Sequence, residues 1–222
     1  MPNINSNCFS QVSSKSTTAI QFDKKQLRVK IRALRQSLSH AQQRKASDKL
    51  IKQINQSKLL LKHKHTALYL GNDGELNPQK LIKQLWKQKK QAYLPVIHPI
   101  YSNRLCFCLV TPDTKFIKNK FGIQEPDFKY SKCIPKQYLS LVLMPLVAFD
   151  TAGNRMGMGG GFYDRSFAYK AKTGTKHSKP KLIGIAHAFQ EQTYLPLEKW
   201  DIPLEGVLTD QKFHQFNVKI NA

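Results

Sequence analysis

The sequence predicts an α/β fold built on a largely parallel sheet, and three observations carry that reading. Segments with helical periodicity alternate along the chain with short apolar strands. Leu141 to Phe149 is a continuous apolar run, the pattern of a central strand buried on both faces. A glycine-rich turn follows that run and leads into a further helix, so strand, loop and helix form one unit.

The first helical pattern starts at Asp23. Leu27, Ile31, Leu34 and Leu38 recur at spacings of four, three and four and make one apolar stripe. Arg28, Arg32 and Arg35 lie off that stripe, on one neighbouring face. Ser39 caps a second helix that runs to about Gln56. Thr66 to Leu70 reads as a short strand, broken by Gly71-Asn72-Asp73-Gly74. Asn77-Pro78 opens a helix through about Lys89 that turns Leu81, Ile82, Leu85 and Trp86 inward. Gln91 to Ile97 and Arg104 to Val110 are strands, separated by a turn near Pro99 to Asn103. After the glycine turn a helix begins near Phe162, and Lys172 to Lys179 has the composition of an exposed loop. Leu182 to Ala188 and Gly206 to Thr209 are the last strands. His187 lies in the first of these and reads as a packed histidine rather than a base. No internal repeat is visible.

A chain of 222 residues with 41% hydrophobic content fits one domain with a sizeable core. Lys and Arg total 36 against 14 Asp and Glu, a net charge of +22 that favours anionic partners. The lysines are spread along the chain. No zinc-finger spacing, no basic region running into heptads and no aromatic RNA-binding signature accompanies them, so nucleic-acid binding rests on charge alone. The longest apolar run is too short to span a bilayer, and no membrane partner is expected. Residues 1–22 are rich in Ser, Asn, Gln and Thr, with no apolar h-region and no Arg. They read as a disordered or loosely attached tail ahead of a domain over residues 23–222, in a cytoplasmic protein. Cys106 and Cys108 alternate within a strand and face one side; with Cys8 and Cys133 they show no metal-ligand spacing. They read as small apolar core residues in a reducing compartment.

The chemistry concentrates after the buried run. Four glycines, Gly157, Gly159, Gly160 and Gly161, fall within five residues before a helix begins. Such a loop can present backbone N–H groups to phosphate oxygens at close range. Arg155 at its entrance can add a forked, charge-assisted contact, and Asp164 just inside the helix can hold a Mg²⁺ ion. The Gly-Lys-Ser/Thr ending of a Walker loop is missing, and Phe162 occupies the third-glycine position of a dinucleotide fingerprint. On composition alone, a tight strand-to-helix connection remains the alternative to phosphate binding.

Phe149-Asp150, then Gly153-Asn-Arg155-Met-Gly157, then Gly159-Gly160-Gly161-Phe162-Tyr163-Asp164-Arg165 resemble the signature of the 5-formyltetrahydrofolate cyclo-ligase family. The resemblance covers about residues 23–212. In the same order it takes in Lys24-Lys25-Gln-Leu-Arg28, Gly74-Glu75-Leu76, Leu94-Pro95, Phe121-Gly122-Ile123 with Glu125-Pro126, Trp200-Asp201-Ile-Pro-Leu, and Thr209-Asp210.

The resemblance implies a three-layer α/β/α fold and ATP-driven closure of 5-formyltetrahydrofolate to 5,10-methenyltetrahydrofolate, through phosphorylation of the formyl oxygen. It implies Mg²⁺ as cofactor, and ATP and a reduced folate, with one or more glutamates, as small-molecule partners. A monomer is favoured. Carried over by position, Lys24, Arg28 and Arg155 through Tyr163 (with Met156, Gly157, Met158, Gly159, Gly160, Gly161 and Phe162) meet ATP, and Arg155 and Asp164 are catalytic. Arg28, Leu70, Glu75, Phe121 and the Met158-to-Phe162 segment border the folate, while Asp164 and Asp201 hold Mg²⁺. A carboxylate at Glu75 can accept paired hydrogen bonds from an aminopyrimidinone edge, and Phe121 can offer a flat apolar contact. The family often has a basic residue inside the glycine loop; Met158 and Gly160 stand at those positions here, which weakens one phosphate contact that Arg155 or a helix-1 cation can supply instead. The alternatives are a basic nucleic-acid-binding protein and another ATP-dependent small-molecule ligase.

Overall fold

Along the buried run, side chains sort by alternation onto two faces: Leu141 and Leu143 enter one core cluster, Val142 and Met144 another. Ile183 and Ile185 against Leu182 and Ala186 repeat the pattern one strand away. Apolar side chains on both faces demand helices on both sides of the sheet.

The computed structural model describes residues 15–101, 103–172 and 179–216. Its helices are α1 (Lys15–Gln36), α2 (His40–Gln56), α3 (Lys80–Lys87), α4 (Phe162–Phe167) and α5 (Tyr169–Lys172). Its strands begin with β1 (His65–Ala67), β2 (Gln91–Ile97), β3 (Leu105–Val110), β4 (Phe116–Lys118), β5 (Gln124–Pro126) and β6 (Cys133–Ile134). They continue with β7 (Leu141–Pro145), β8 (Ala148–Asp150), β9 (Arg155–Met156), β10 (Lys181–Ala186), β11 (Glu191–Gln192), β12 (Gly206–Thr209) and β13 (Phe213–Gln215).

Eight strands form the main sheet in the order β13-β12-β10-β7-β1-β2-β3-β6. The five from β12 to β2 are parallel, and antiparallel strands close both edges. Ala46, Leu50 and Ile54 of α2 and Leu81, Ile82 and Leu85 of α3 cover the Leu141/Leu143 face. Phe167 of α4 packs on the other, so the expected α/β/α layering is what forms. No helix among the described residues is long and apolar enough to cross a membrane.

Several boundaries fall where local chemistry put them. Ser39 accepts the Gln42 N–H and the Gln42 side chain returns to the Ser39 N–H, a complete capping box. Trp86 turns inward and donates Nε1–H to the Val110 carbonyl. Other expectations are corrected. The 141–149 run is two strands: β7 stays in the main sheet, and β8 joins a small sheet with β9 and β11. Gln190 Nε2 donates to both the Leu146 and Val147 carbonyls, and Val147 N–H bonds the Met156 carbonyl, so the chain leaves the ladder with its polar groups satisfied.

The first strand ends at Ala67 rather than Leu70, one further bond running from Leu68 N–H to the Tyr93 carbonyl. Helix α1 already includes Lys15, ahead of the expected Asp23; residues 1–14 of the expected tail, and 173–178 of the expected loop, lie outside the described residues. Leu34 of the expected stripe is exposed, and Arg35 is buried in its stead. The cysteines are not all unpaired: β3 and β6 set Cys108 opposite Cys133, and the two are joined as a disulfide, with Cys106 free among the described residues. Cross-strand register of this kind is invisible in spacing along the chain.

From β1 the chain crosses through α3 to β2 on one side, whereas β7, β10 and β12 lie on the other. The strand order therefore reverses between β1 and β7. A crevice beyond the carboxyl ends of the strands at such a point is where open α/β sheets hold ligands.

Candidate functional site

A cavity of about 580 Å³ occupies that crevice. Its apolar part comes from strand ends: Leu70 after β1, Leu94, Pro95 and Ile97 of β2, and Pro145 and Leu146 at the end of β7. Polar groups enter at the rim, with Glu75 and Asp73 from the loop after β1, Asn119 and Glu125 from the β4–β5 hairpin, and Arg155 and Asp164 beside the glycine loop. Phe121, at the hairpin tip, meets the Phe162 ring edge-on at a centroid distance of 5.9 Å. Asn119 shapes that tip, its Oδ1 accepting the Phe121 and Ile123 N–H groups while its amide donates to Glu125.

The glycine loop is aimed by the turn before it. Asp150 accepts the Ala152 and Asn154 N–H groups and closes the β8–β9 turn, which brings Arg155 into a buried position. Arg155 Nη2 donates to Asp164 Oδ1 at 2.5 Å, and Ile202 N–H donates to the same oxygen at 3.2 Å. Two arginines from outside flank the loop: Arg28 Nε donates to the Gly157 carbonyl at 2.9 Å, and Arg165 Nη1 to the Gly160 carbonyl at 3.1 Å. They place positive charge on the flanks of a loop that carries none between Met156 and Gly161. Lys24 pairs with Glu198 at 3.0 Å, and the Glu198 N–H donates to Asp201.

Burial is the main cause that raises the Asp201 carboxyl above its usual range, and the Asp164 charge adds to it, against Lys24 and Arg155. Burial likewise lowers the Arg28 pKa, opposed by Asp201. Lys24, Arg28, Arg155, Asp164 and Asp201 thus share one electrostatic neighbourhood. No group of three or more metal-ligating side chains exists among the described residues. Two hard carboxylates, one held uneasily beside the other, nevertheless fit a Mg²⁺ ion that takes its remaining ligands from phosphates and water.

At the other end, burial pushes the Glu75 carboxyl up to about 7, against the Asn72 N–H bonded to Oε2 and the Arg35 charge, while Asp73 adds to the rise. Tyr69 and Tyr163 face it, both raised chiefly by burial and further by Glu75. His187 is a packing residue, its Nε2 3.0 Å from the Gly74 carbonyl and its ring stacked on Phe189.

Of the residues expected at the site, Leu70, Glu75, Phe121, Arg155, Gly157, Met158, Gly160, Gly161, Phe162, Tyr163 and Asp164 line one cavity. Lys24, Arg28, Gly159 and Asp201 are not among the residues that line it. Met156 does not line it: its side chain packs with Ile31, Val147, Ala148 and Leu195, and its carbonyl accepts the Val147 N–H. Sequence reasoning gave no role to Arg165, Asn119, Glu125, Tyr69, Arg35 or Asp73. Arg165 and Glu125 sit within quoted motifs and Asp73 within the Gly71-to-Gly74 turn; the others carry no local signal.

A glycine loop flanked by arginines and joined to an apolar half-site at the switch point of a parallel sheet defines a small-molecule α/β enzyme. The chain belongs to the 5-formyltetrahydrofolate cyclo-ligase family, whose family model matches residues 20–210. It is 39% identical over 185 residues to the 5-formyltetrahydrofolate cyclo-ligase of Haemophilus influenzae, covering 83% of this chain and 96% of that one. It is 43% identical over 149 residues to that of Escherichia coli K12, covering 67% and 79%. The solution structure of Aquifex aeolicus 5,10-methenyltetrahydrofolate synthetase superimposes with a TM-score of 0.73 at 29% identity, over 88% of this chain and 93% of that one.

Proposed function

We propose that this chain closes 5-formyltetrahydrofolate to 5,10-methenyltetrahydrofolate with ATP, releasing ADP and phosphate. The observation that carries the reading is the continuity of one cavity from the Glu75 carboxylate to the glycine loop, with Phe162 bordering both halves.

A formyl amide is a poor electrophile because its nitrogen lone pair is delocalised into the carbonyl. Transfer of the γ-phosphoryl group to the formyl oxygen gives an iminium-like phosphate; the neighbouring folate nitrogen attacks its carbon, and phosphate leaves with the oxygen. The chain has to align formyl oxygen with phosphorus and to neutralise charge. The glycine loop N–H groups, with Arg155 and Arg28, hold the phosphates; Asp164 and Asp201 hold Mg²⁺, which when bound offsets phosphate charge. Leu70, Phe121 and Phe162 enclose the folate rings and exclude water. Glu75, ionised, accepts the paired N–H donors of the aminopyrimidinone edge.

Glu75→Gln is expected to raise the folate KM by about tenfold and to leave the ATP KM unchanged. Because burial raises the Glu75 pKa to about 7, folate kcat/KM in the parent chain should fall as pH drops through that value. The variant should lose that acid limb, and an unchanged limb or folate KM would remove Glu75 from the folate head. The reaction itself is tested by mixing chain, Mg²⁺-ATP and 5-formyltetrahydrofolate and following the near-ultraviolet absorbance of the methenyl product. Product that requires ATP supports the reading; ATP binding without product points to another acceptor.

A further inference from the structure

Helix α1 turns a charged face, not only an apolar one, onto the body of the protein. Arg35 is fully buried, with Nη2 donating to Asp73 Oδ2 at 2.8 Å and Nη1 3.7 Å from Glu75 Oε1. Its Nε and Nη1 are buried without any hydrogen-bond partner. A guanidinium left in this state costs stability, so packing gives no reason for arginine at a position where an apolar side chain would continue the stripe.

The reason lies in what it grips. Asp73 accepts from Arg35, from Arg32 Nε at 2.7 Å and from Gln36 Nε2 at 2.5 Å, so three side chains of one helix converge on one carboxylate. Asp73 itself has φ 50°, in the left-handed region that Asp tolerates better than most non-glycine residues, and this convergence holds it there. The next residue, Gly74, lies against the Arg35 backbone, and Glu75 follows it directly.

We propose that Arg35 is a positioning residue for the folate site, fixing through Asp73 and its own Nη1 where the Glu75 carboxylate stands when the aminopyrimidinone edge arrives. The inference rests on the reading of Glu75 as the acceptor for that edge. Arg35 touches neither substrate; it acts on the group that does. Its charge also holds the Glu75 pKa down, against burial and the Asp73 charge, while Tyr69 and Tyr163 complete the groups that face this carboxyl. Asn72 contributes its N–H.

Steady-state kinetics across neutral pH with Mg²⁺-ATP and 5-formyltetrahydrofolate test this on Arg35→Met, Arg35→Lys, Glu75→Gln and the Arg35→Met/Glu75→Gln double variant. Arg35→Met should raise the folate KM by about tenfold, leave the ATP KM unchanged, and move the acid limb of folate kcat/KM to higher pH. Arg35→Lys, which keeps the charge without the fork, should restore the limb's position but not the KM. In the Glu75→Gln background Arg35→Met should add no further loss, because both changes act on one group.

A cooperatively folded Arg35→Met with parental folate KM and limb overturns the proposal, as does full additivity in the double variant, which marks a merely structural role. If Arg35→Met does not fold, Asp73→Asn carries the test: the folate KM should rise while the limb moves to lower pH, and parental values for both overturn the proposal. A parental folate KM in Glu75→Gln alone defeats the reading of Glu75 and this role with it. A raised one there beside an unaffected Arg35→Met defeats only the role of Arg35.

Discussion

Asp164→Asn is expected to lower Mg²⁺-ATP-dependent turnover by about 10²–10³-fold while the chain melts near its parental temperature. The asparagine Oδ1 can still accept from Arg155 Nη2 and from the Ile202 N–H, the two bonds that Asp164 Oδ1 makes. What disappears is the negative charge beside Asp201 that a Mg²⁺ ion would meet. Asp164→Ala separates the two roles. It removes the acceptor as well, and leaves the Arg155 guanidinium, whose side chain is 5% exposed, without its ion-pair partner. Breaking a buried pair from one side costs about 3–5 kcal/mol, so the alanine variant should be inactive and also markedly less stable. Turnover assays and thermal melts on the two variants check this. Near-parental turnover in a folded Asp164→Asn would place the metal and the transferred phosphate elsewhere.

What the sequence made legible, and what it hid, divides by the range of the interaction. Gln91 to Ile97 and Gly206 to Thr209 appear as strands at the expected bounds, because apolar runs between turn residues report local conformation directly. The Ser39 cap was legible for the same reason. The 141–149 run misled because apolarity records burial and not which sheet a strand joins. The Leu146 and Val147 carbonyls just past β7 are satisfied by Gln190, more than forty positions away. Arg35 was hidden in the opposite sense: its charge set it off the apolar stripe, and only the fold buries it and brings Asp73 to it.

The candidate site divides the same way. The glycine loop and its neighbours are contiguous, so a motif could carry Arg155, Asp164 and Phe162 together. The cations that complete the loop were not visible as a set. Arg28 comes from a helix 129 positions earlier, while Arg165 reaches back to the Gly160 carbonyl from within α4. Of the two, Arg28 is a helix-1 cation of the kind expected to stand in for the missing basic residue at Met158 or Gly160, whereas Arg165 was given no role. The hairpin tip is similar, since Glu125 and Asn119 matter for how they hold Phe121 and leave no periodic trace.

Gly74→Ala is expected to destabilise the chain by about 3 kcal/mol, a fall of roughly 6–12 °C in Tm, whereas Gly122→Ala should cost only about 1 kcal/mol. Both glycines have positive φ, +70° and +75°, so any L side chain pays a similar backbone penalty at either place. They differ in what a Cβ would meet. At Gly122 there is nothing within 4 Å, but at Gly74 the Arg35 carbonyl oxygen and carbon lie at 2.7 and 2.8 Å. Those are backbone atoms of a helix, and they cannot turn aside as a flexible side chain would. The methyl must push α1 and the Glu75 loop apart, loosening Arg35 from Asp73 at the same time. Thermal melts of both variants, read with their folate KM, measure the two effects. Equal falls in Tm would show that left-handed geometry accounts for the whole cost. A larger fall for Gly74→Ala, accompanied by a raised folate KM, ties the packing of α1 on this loop to the folate half of the cavity.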